Sequence, residues 1–331
     1  MTETISPPEP GTARGRRRRR IPVPRLPLRF ALPLAIVLVA VAPLVFADAY
    51  RLRVATAAGL LAILALAMNL LIGGPGEISF AHGGFYGVGA YVLGILTVGN
   101  TLSFWPALLV ATAAGTAVGV AVGIPALRTR TLSFAIATLG MGLFLANVFG
   151  GWTSVTGGSV GLANIPRAPL DGIPVPGSIF VQSGVRQFYL VWLVVLVVLV
   201  LNVVVLRGGF GNVLKSIKRS EVLVESLGFR PGFYRLATFA FSAGLAALAG
   251  GMYAQYISFV GPDNFTIFTA FNAIVVVAIG GLGNAWGTVA TAIVLTVVPE
   301  YLHALDDYRV VVFAVLLFVV LRVRAALGWR T

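Results

Sequence analysis

The sequence predicts an all-α, polytopic membrane protein of about ten transmembrane helices (8–10), with both termini cytoplasmic and glycine-broken helices. Three observations carry this. Of 331 residues, 58% are hydrophobic and only 11% charged, whereas a water-facing domain carries about 25% charged residues. Apolar runs such as "FALPLAIVLVAVAPLVF" (30–46) and "FYLVWLVVLVVLVLNVVVL" (188–206) are long enough, as helices, to cross about 30 Å of hydrocarbon. The runs are also continuous rather than alternating, which is the pattern of helices and not of barrel strands.

Residues 1–29 are polar and rich in proline and arginine, ending in "RGRRRRRIPVPRLPLRF". They read as a disordered basic cytoplasmic tail, in which each arginine near anionic lipid contributes about 1 kcal/mol. A secretory signal is the rival reading, because "ADA" at 47–49 mimics a cleavage site after an apolar run. The long basic region and the nine further apolar segments favour an uncleaved first helix. The membrane domain covers 30–325, followed by a short cytoplasmic tail at 326–331. Its spans are predicted at 30–46, 54–72, 84–98, 106–126, 132–149, 188–206, 234–257, 267–281, 286–302 and 309–322. With the N-terminus inside, nineteen of the 24 Lys and Arg fall on the inner side, and Arg51, Arg53, Arg167, Arg186 and Arg309 fall outside. Reversing the chain inverts that ratio, so positive charge places both termini in the cytoplasm. The 150–187 segment is then an external loop, glycine- and proline-rich and too polar to cross, and 207–233 is an internal one.

Composition also excludes several chemistries. The chain has no cysteine, which removes disulfides, thiol catalysis and cysteine-ligated zinc. His82 and His303 are far apart in sequence, so no metal cluster and no cofactor is predicted. No stretch fits G-x-x-x-x-G-K-[ST], so the chain is read as a non-enzyme without an ATP site of its own. Any ATP energy must come from another subunit. The net charge of +13 sits between apolar runs, as topology signals do, and does not point to nucleic acid.

Four stretches concentrate the polar chemistry. The first is "NLLIGGPGEISFAHGGFYGVGAYV" (69–92), where Gly73, Gly74, Pro75 and Gly76 interrupt an apolar run that also holds Asn69, Glu77, Ser79 and His82. A span over 54–72 is already about 28 Å long at 1.5 Å per residue, which puts the break near the inner interface unless the next segment is re-entrant. Irregular backbone at membrane depth needs protein or a wet cavity around it. A helix restarting at Ile78 would offer free amides to an anion such as a substrate carboxylate. Glu77 would compete for that field and favour an ammonium. Ionisable groups at this depth read as functional by default; the structural alternative is that Glu77 and His82 snorkel or pair with each other. Asn69, Glu77, Ser79 and His82 are accordingly the candidates for the translocation path.

The second stretch, "AIGGLGNAWGTVATA" (278–292), lies on the same side and repeats the break as "IGGLG" against "IGGPG". Paired broken segments mark a path in transporters, which makes Gly73, Gly74, Gly76, Gly280, Gly281, Gly283 and Trp286 candidates for a gate or helix break. Close helix packing through glycine is the alternative. The third, "TGGSVGL" (156–162), offers an external gate in which Thr156, Gly157 and Gly158 join the path candidates and Ser159 supplies a further hydroxyl. The fourth is the internal loop "RGGFGNVLKSIKRSEVLVESLGFRPGFYRLATFAFSAGLAALAG" (207–250). There Val213, Leu214, Ile217, Leu223, Val224 and Leu227 recur at helical spacing, Gly228 is a stop and Pro231 lies just beyond. An amphipathic helix or helix pair with an apolar side is predicted, either lying on the surface or docked in a partner's groove.

Taken in order, these pieces resemble the branched-chain amino acid permease family of ABC importers. The resemblance runs from "ALAMNLLIGGPGEISFAHGGFYGVGAY" through "LRTRTLSFAIATLG" and "TGGSVGL" to "SIKRSEVLVESLGFRPGFYRLATFAFSAGLAALAGGMYAQYISFVGPDNF" and "VVVAIGGLGNAWGTVATAIVLTVVPE". It covers roughly residues 50–325 and leaves the basic tail unmatched. It implies that 30–325 is a transmembrane permease domain in the bilayer of a prokaryotic plasma membrane. The implied partners are a second permease subunit, two cytoplasmic ABC ATPase subunits that bind the ATP, and an external substrate-binding protein. It also implies that 207–233 is the coupling loop, with Arg219, Glu221, Glu225, Gly228 and Arg235 at coupling positions. Leu223 and Val224 stand where the family commonly has small residues. Glu77 stands where it commonly has a neutral one, and relatives also carry urea or short amides.

The function read from all this is the membrane-spanning permease subunit of an ATP-driven importer for branched-chain or related hydrophobic amino acids. The rival readings are a self-sufficient proton-coupled secondary transporter using Glu77 and His82, an ABC permease for urea or short amides, and a membrane-anchored scaffold working through the arginine tail.

Overall fold

A computed structural model describes residues 48–99, 101–129, 131–169 and 183–301, together with 33, 36, 37 and 39. The predicted spans at 30–46 and 309–322, both tails and His303 therefore lie wholly or mostly outside the described residues. What is described is a helical bundle, with one two-stranded ribbon added to the all-α expectation. The helices of membrane scale are α1 (Ala49–Gly73), α2 (His82–Val98), α3 (Phe104–Ala126), α4 (Thr131–Gly151), then the single turn α5 (Thr153–Thr156), followed by α6 (Ser183–Arg207). After two short helices, α7 (Gly209–Arg219) and α8 (Glu221–Ser226), come α9 (Pro231–Ile257), α10 (Ile267–Gly280) and α11 (Ala285–Tyr301). Six stretches of these are long and apolar enough to cross a membrane, and two shorter apolar helices, His82–Val98 and Ala285–Glu300, accompany them.

Helix α1 is the axis of the bundle. Asp48 caps its start by accepting the Tyr50 N–H at 3.1 Å. Its alanine-rich "AAGLLAILALAMN" face is buried against α6, α9, α10 and α11. Lipid tails are as apolar as leucine, so such helices associate through close packing and polar bridges rather than through a hydrophobic force. Helix α9 shows how close the approach becomes. Its "AFSAGLAALAGG" run lies against α2 and α3, and a Cβ at Gly250 or at Gly89 would collide with the carbonyls of Tyr86 or Ala247. Helix α4, by contrast, leaves Leu132, Ile136, Leu143 and Phe144 exposed, a face for lipid or another membrane protein.

The bundle has two distinct ends. At about 1.5 Å per residue, the 27-residue α9 is about 40 Å long and joins them. At one end, Leu162 and Ala163 (β1) pair antiparallel with Val260 and Phe259 (β2), over a cluster of Tyr86, Tyr91, Phe149, Tyr253 and Phe265. At the other end lie the turn after α1, the helices α7 and α8, the start of α9 and the Gly281–Asn284 turn.

Candidate functional site

The site at the Glu77 end is built from the way α1 stops. Gly74 N–H donates to Leu70 O at 3.0 Å, and the amides of Gly76 and Glu77 return to Leu71 O at 3.1 and 3.3 Å. Gly76 has φ +85°, a left-handed conformation that glycine adopts without a Cβ penalty. The chain then runs without regular structure to a turn at Phe80–Ala81, and α2 begins at His82, not at Ile78. Phe80 N–H donates to Thr138 Oγ1 from α4 at 3.2 Å, and Ala81 N–H to Ser79 Oγ at 3.3 Å, so side chains satisfy the amides just ahead of α2. Ser79 is fully buried in this role.

Three elements grip the turn. Leu214 and Lys218 of α7 lie over it: a Cβ at Gly74 would stand 3.0 Å from Leu214 Cδ1, and one at Gly76 2.9 Å from Lys218 Cε. Arg235, in the first turns of α9, donates through Nε to Glu77 Oε1 and through Nη1 to Glu221 Oε1 of α8 at 3.4 Å. The side chains of Glu77 and Arg235 are 5% and 13% exposed, that of Glu221 48%. Burial pushes the Glu77 carboxyl above its ordinary value, and the Arg235 guanidinium pulls against that. Glu77 Oε2 has no partner among the described residues.

The second glycine break meets the first. Gly281 and Gly283 turn the chain at φ +107° and +78°. Gly283 N–H donates to Asn69 Oδ1 at 2.8 Å, and a Cβ at Gly73 would strike Gly283 Cα. Asn69 Nδ2 donates to Asn202 Oδ1 at 2.9 Å, and Asn202 Nδ2 to Leu66 O at 2.6 Å. Both amides are fully buried. Gly280, the last residue of α10, packs on Gly287 of α11, and Trp286 Nε1 is buried with no partner among the described residues. "IGGPG" and "IGGLG" are thus one junction.

Glu77 and His82 do not pair with each other. His82 Nε2 meets Ser242 Oγ at 2.7 Å, and Ser242 Oγ donates to Ala67 O at 2.6 Å. The single serine proton is therefore committed, which makes His82 the Nε2–H donor and leaves Nδ1 an acceptor. Nδ1 has no partner among the described residues, and the ring stands edge-on to Phe85 and Phe239.

The coupling candidates cluster around the helix pair. Ser220 caps α8 by accepting the Leu223 N–H at 3.3 Å. Leu214, Ile217 and Val224 form a small core with Phe210, Val213 and Tyr234. Gly228 ends α8 at φ +84°, with Phe229 N–H returning to Val224 O at 3.3 Å, and Pro231 opens α9. Arg219, Glu221 and Glu225 are exposed. So are Val222 (75%), Leu223 (60%), Leu227, Phe229 and Phe233, an apolar surface left over after the small core is filled.

At the ribbon end, the Phe149 and Trp152 carbonyls, 2.6 and 2.7 Å from Thr156 Oγ1, share its single hydroxyl proton, and Oγ1 accepts the Gly158 N–H. Gly157 and Gly158 are left-handed, and the segment leads directly into β1. Gln255 Nε2 donates to Gln187 Oε1 at 2.9 Å and its Oε1 accepts the Ala168 N–H at 3.2 Å. Asn202, Ser242, Gln187, Gln255 and Thr138 are among the buried polar residues that sequence reasoning passed over. Asn202 carried a signal, a lone amide inside a run of valine and leucine, since polar groups at bilayer depth are costly unless partnered.

No metal-type cluster of three or more acidic, His or Cys side chains occurs among the described residues. Comparison with known proteins gives a consistent family. The model of the branched-chain amino acid transport system / permease component matches residues 50–321. The high-affinity branched-chain amino acid transport system permease protein LivM of Salmonella typhimurium is 30% identical over 273 residues, 77% of this chain and 64% of the relative; LivM of Escherichia coli gives the same figures. The LivH permease protein of Salmonella typhimurium is 26% identical over 278 residues, 78% of this chain and 88% of the relative. The chain thus spans somewhat under two thirds of the LivM relatives' length. No solved structure matches significantly. With the matched region taking in both glycine breaks, the helix pair and the ribbon, the chain belongs to the branched-chain amino acid transport system permease family.

Proposed function

We propose that this chain is the membrane-spanning permease subunit of an ATP-driven importer for branched-chain or related hydrophobic amino acids, in a prokaryotic plasma membrane. The Glu77 end faces the cytoplasm and both termini lie there. Two separate ABC ATPase subunits bind the nucleotide, a second permease completes the pore, and an external binding protein delivers substrate at the ribbon end. One observation supports this above the rest: the α7–α8 pair, with its exposed apolar face, packs directly on the junction of the two glycine breaks. An amphipathic element with unburied apolar residues suits a partner's groove, and its placement suits a lever acting on the path.

In this reading Gly73, Gly74, Gly76, Gly280, Gly281, Gly283 and Trp286 form the inner gate, and Thr156–Gly158 the outer one. Asn69 braces the gate through Gly283, while His82 Nδ1 and Trp286 Nε1 supply an unused acceptor and donor for a zwitterion. Glu77, closed off by Arg235, serves the coupling side rather than the substrate. Reconstitution with two ATPases, a second permease and a binding protein tests the proposal. Leucine and phenylalanine uptake that requires ATP is the expected result. Uptake of urea alone, or uptake that stops on collapse of a proton gradient while ATP is maintained, contradicts it.

A further inference from the structure

We infer that Arg235 is a positioning residue that carries movement of the α7–α8 pair into the glycine junction by holding Glu77. The inference rests on the permease reading above and names the contact through which coupling acts. Arg235 is forked between two carboxylates in different surroundings. Glu77 is enclosed on the backbone turn, and Glu221 is half exposed on α8. A partner subunit pressing on α8 can move or recruit Glu221 at little cost, because an exposed ion pair is weak. Arg235 has no such freedom toward Glu77, because parting a buried pair strands an uncompensated charge. Displacement of the start of α9 therefore drags the Gly76–Glu77 turn along.

The turn is fitted to receive that pull. Lys218 methylenes and Leu214 press on Gly76 and Gly74 from α7, so the helix pair and the turn move together. On its far side the turn adjoins Gly73, which abuts Gly283, whose N–H is held by Asn69. A connected route thus runs from Arg235 at the start of α9, with Leu214 and Lys218 of α7 beside it, through Glu77 and Gly73 to Gly283 and α11. Backbone against backbone leaves no side chain in that last contact to absorb the motion.

The complete complex in vesicles tests this, with leucine moved per ATP hydrolysed as the readout and co-purification of all subunits as the control. Glu77→Gln lowers the ratio at least about tenfold, within the range of site-to-site coupling energies. The double variant Glu77→Leu/Arg235→Met separates a lever from a brace. It removes both charges, so the chain regains assembly and thermal stability, yet the ratio stays low. A double variant that couples like wild type overturns the inference and leaves the permease reading intact. Arg235→Lys keeps charge and fold but loses the planar fork, and lowers the ratio about threefold; an unchanged ratio there overturns the inference as well. Wild-type vesicles that take up leucine without nucleotide overturn the permease reading itself.

Discussion

The two ends of the bundle are both rich in glycine, and they use it in opposite ways. At the ribbon end, "TGGSVGL" closes on itself. Thr156 bonds the carbonyls of the helix it follows, and the segment ends in a ribbon with the residues just after α9. At the Glu77 end, the glycines of two distant stretches touch each other, and the polar groups around them belong to different helices: Asn69 with Asn202 and Gly283, Glu77 with Arg235. Glycine content alone does not separate a self-closed loop from a junction. What separates them is that the Thr156 hydroxyl bonds stay within 149–158, although the ribbon and Gln255 tie that end to α9 and α6, whereas at the junction the glycines of two breaks touch each other. A crossing set can pass displacement on; a local one holds its own loop.

The comparison can be broken in several places. The largest effect is expected from Gly73→Val, which drives a side chain into Gly283. Overpacking typically costs about 1–3 kcal/mol, and backbone on both sides leaves little room for relief. A loss of folded protein on thermal unfolding in detergent is expected, and wild-type stability would show that the breaks do not meet. Next is Asn202→Leu, which strands Asn69 Nδ2. An orphaned buried polar group costs about 1–3 kcal/mol, so the melting temperature falls and hydrogen exchange quickens at Gly283.

Thr156→Val removes the hydroxyl that closes the ribbon-end loop. About 1 kcal/mol is expected from the lost hydroxyl, with a smaller fall in leucine moved per ATP than Glu77→Gln gives, because this hydroxyl bonds only its own segment. A fall as large as that of Glu77→Gln would erase the contrast between the ends. The smallest effect on stability belongs to Leu223→Asp with Leu227→Asp, both exposed. Surface changes stay within about 0.5 kcal/mol, so the fold survives while co-purification with the ATPases is lost. Retained co-purification would show that this face is not the docking surface.

Much of this arrangement is legible in the sequence because it is local. Helical spacing of the apolar residues and the Gly228 stop yield α7 and α8 where expected, and α9 opens at Pro231, three residues ahead of the predicted 234–257 span. Continuous apolar runs yield the helices of the bundle. What escaped is non-local. The Phe80 amide just ahead of α2 is held by Thr138, 58 residues away, and Glu77 pairs with Arg235, 158 residues away. Spacing along the chain encodes neither. The echo between "IGGPG" and "IGGLG" hinted at a shared role, but only packing brings Gly73 onto Gly283.

The most direct test of the central claim, that the chain is a conduit opened by a separate motor, uses the purified permease alone in sealed vesicles. Radiolabelled leucine is offered under an imposed proton gradient, first without other subunits and then with the second permease, ATPases, binding protein and ATP. The account predicts no accumulation in the first case and accumulation against the gradient in the second. Accumulation by the permease alone would contradict it.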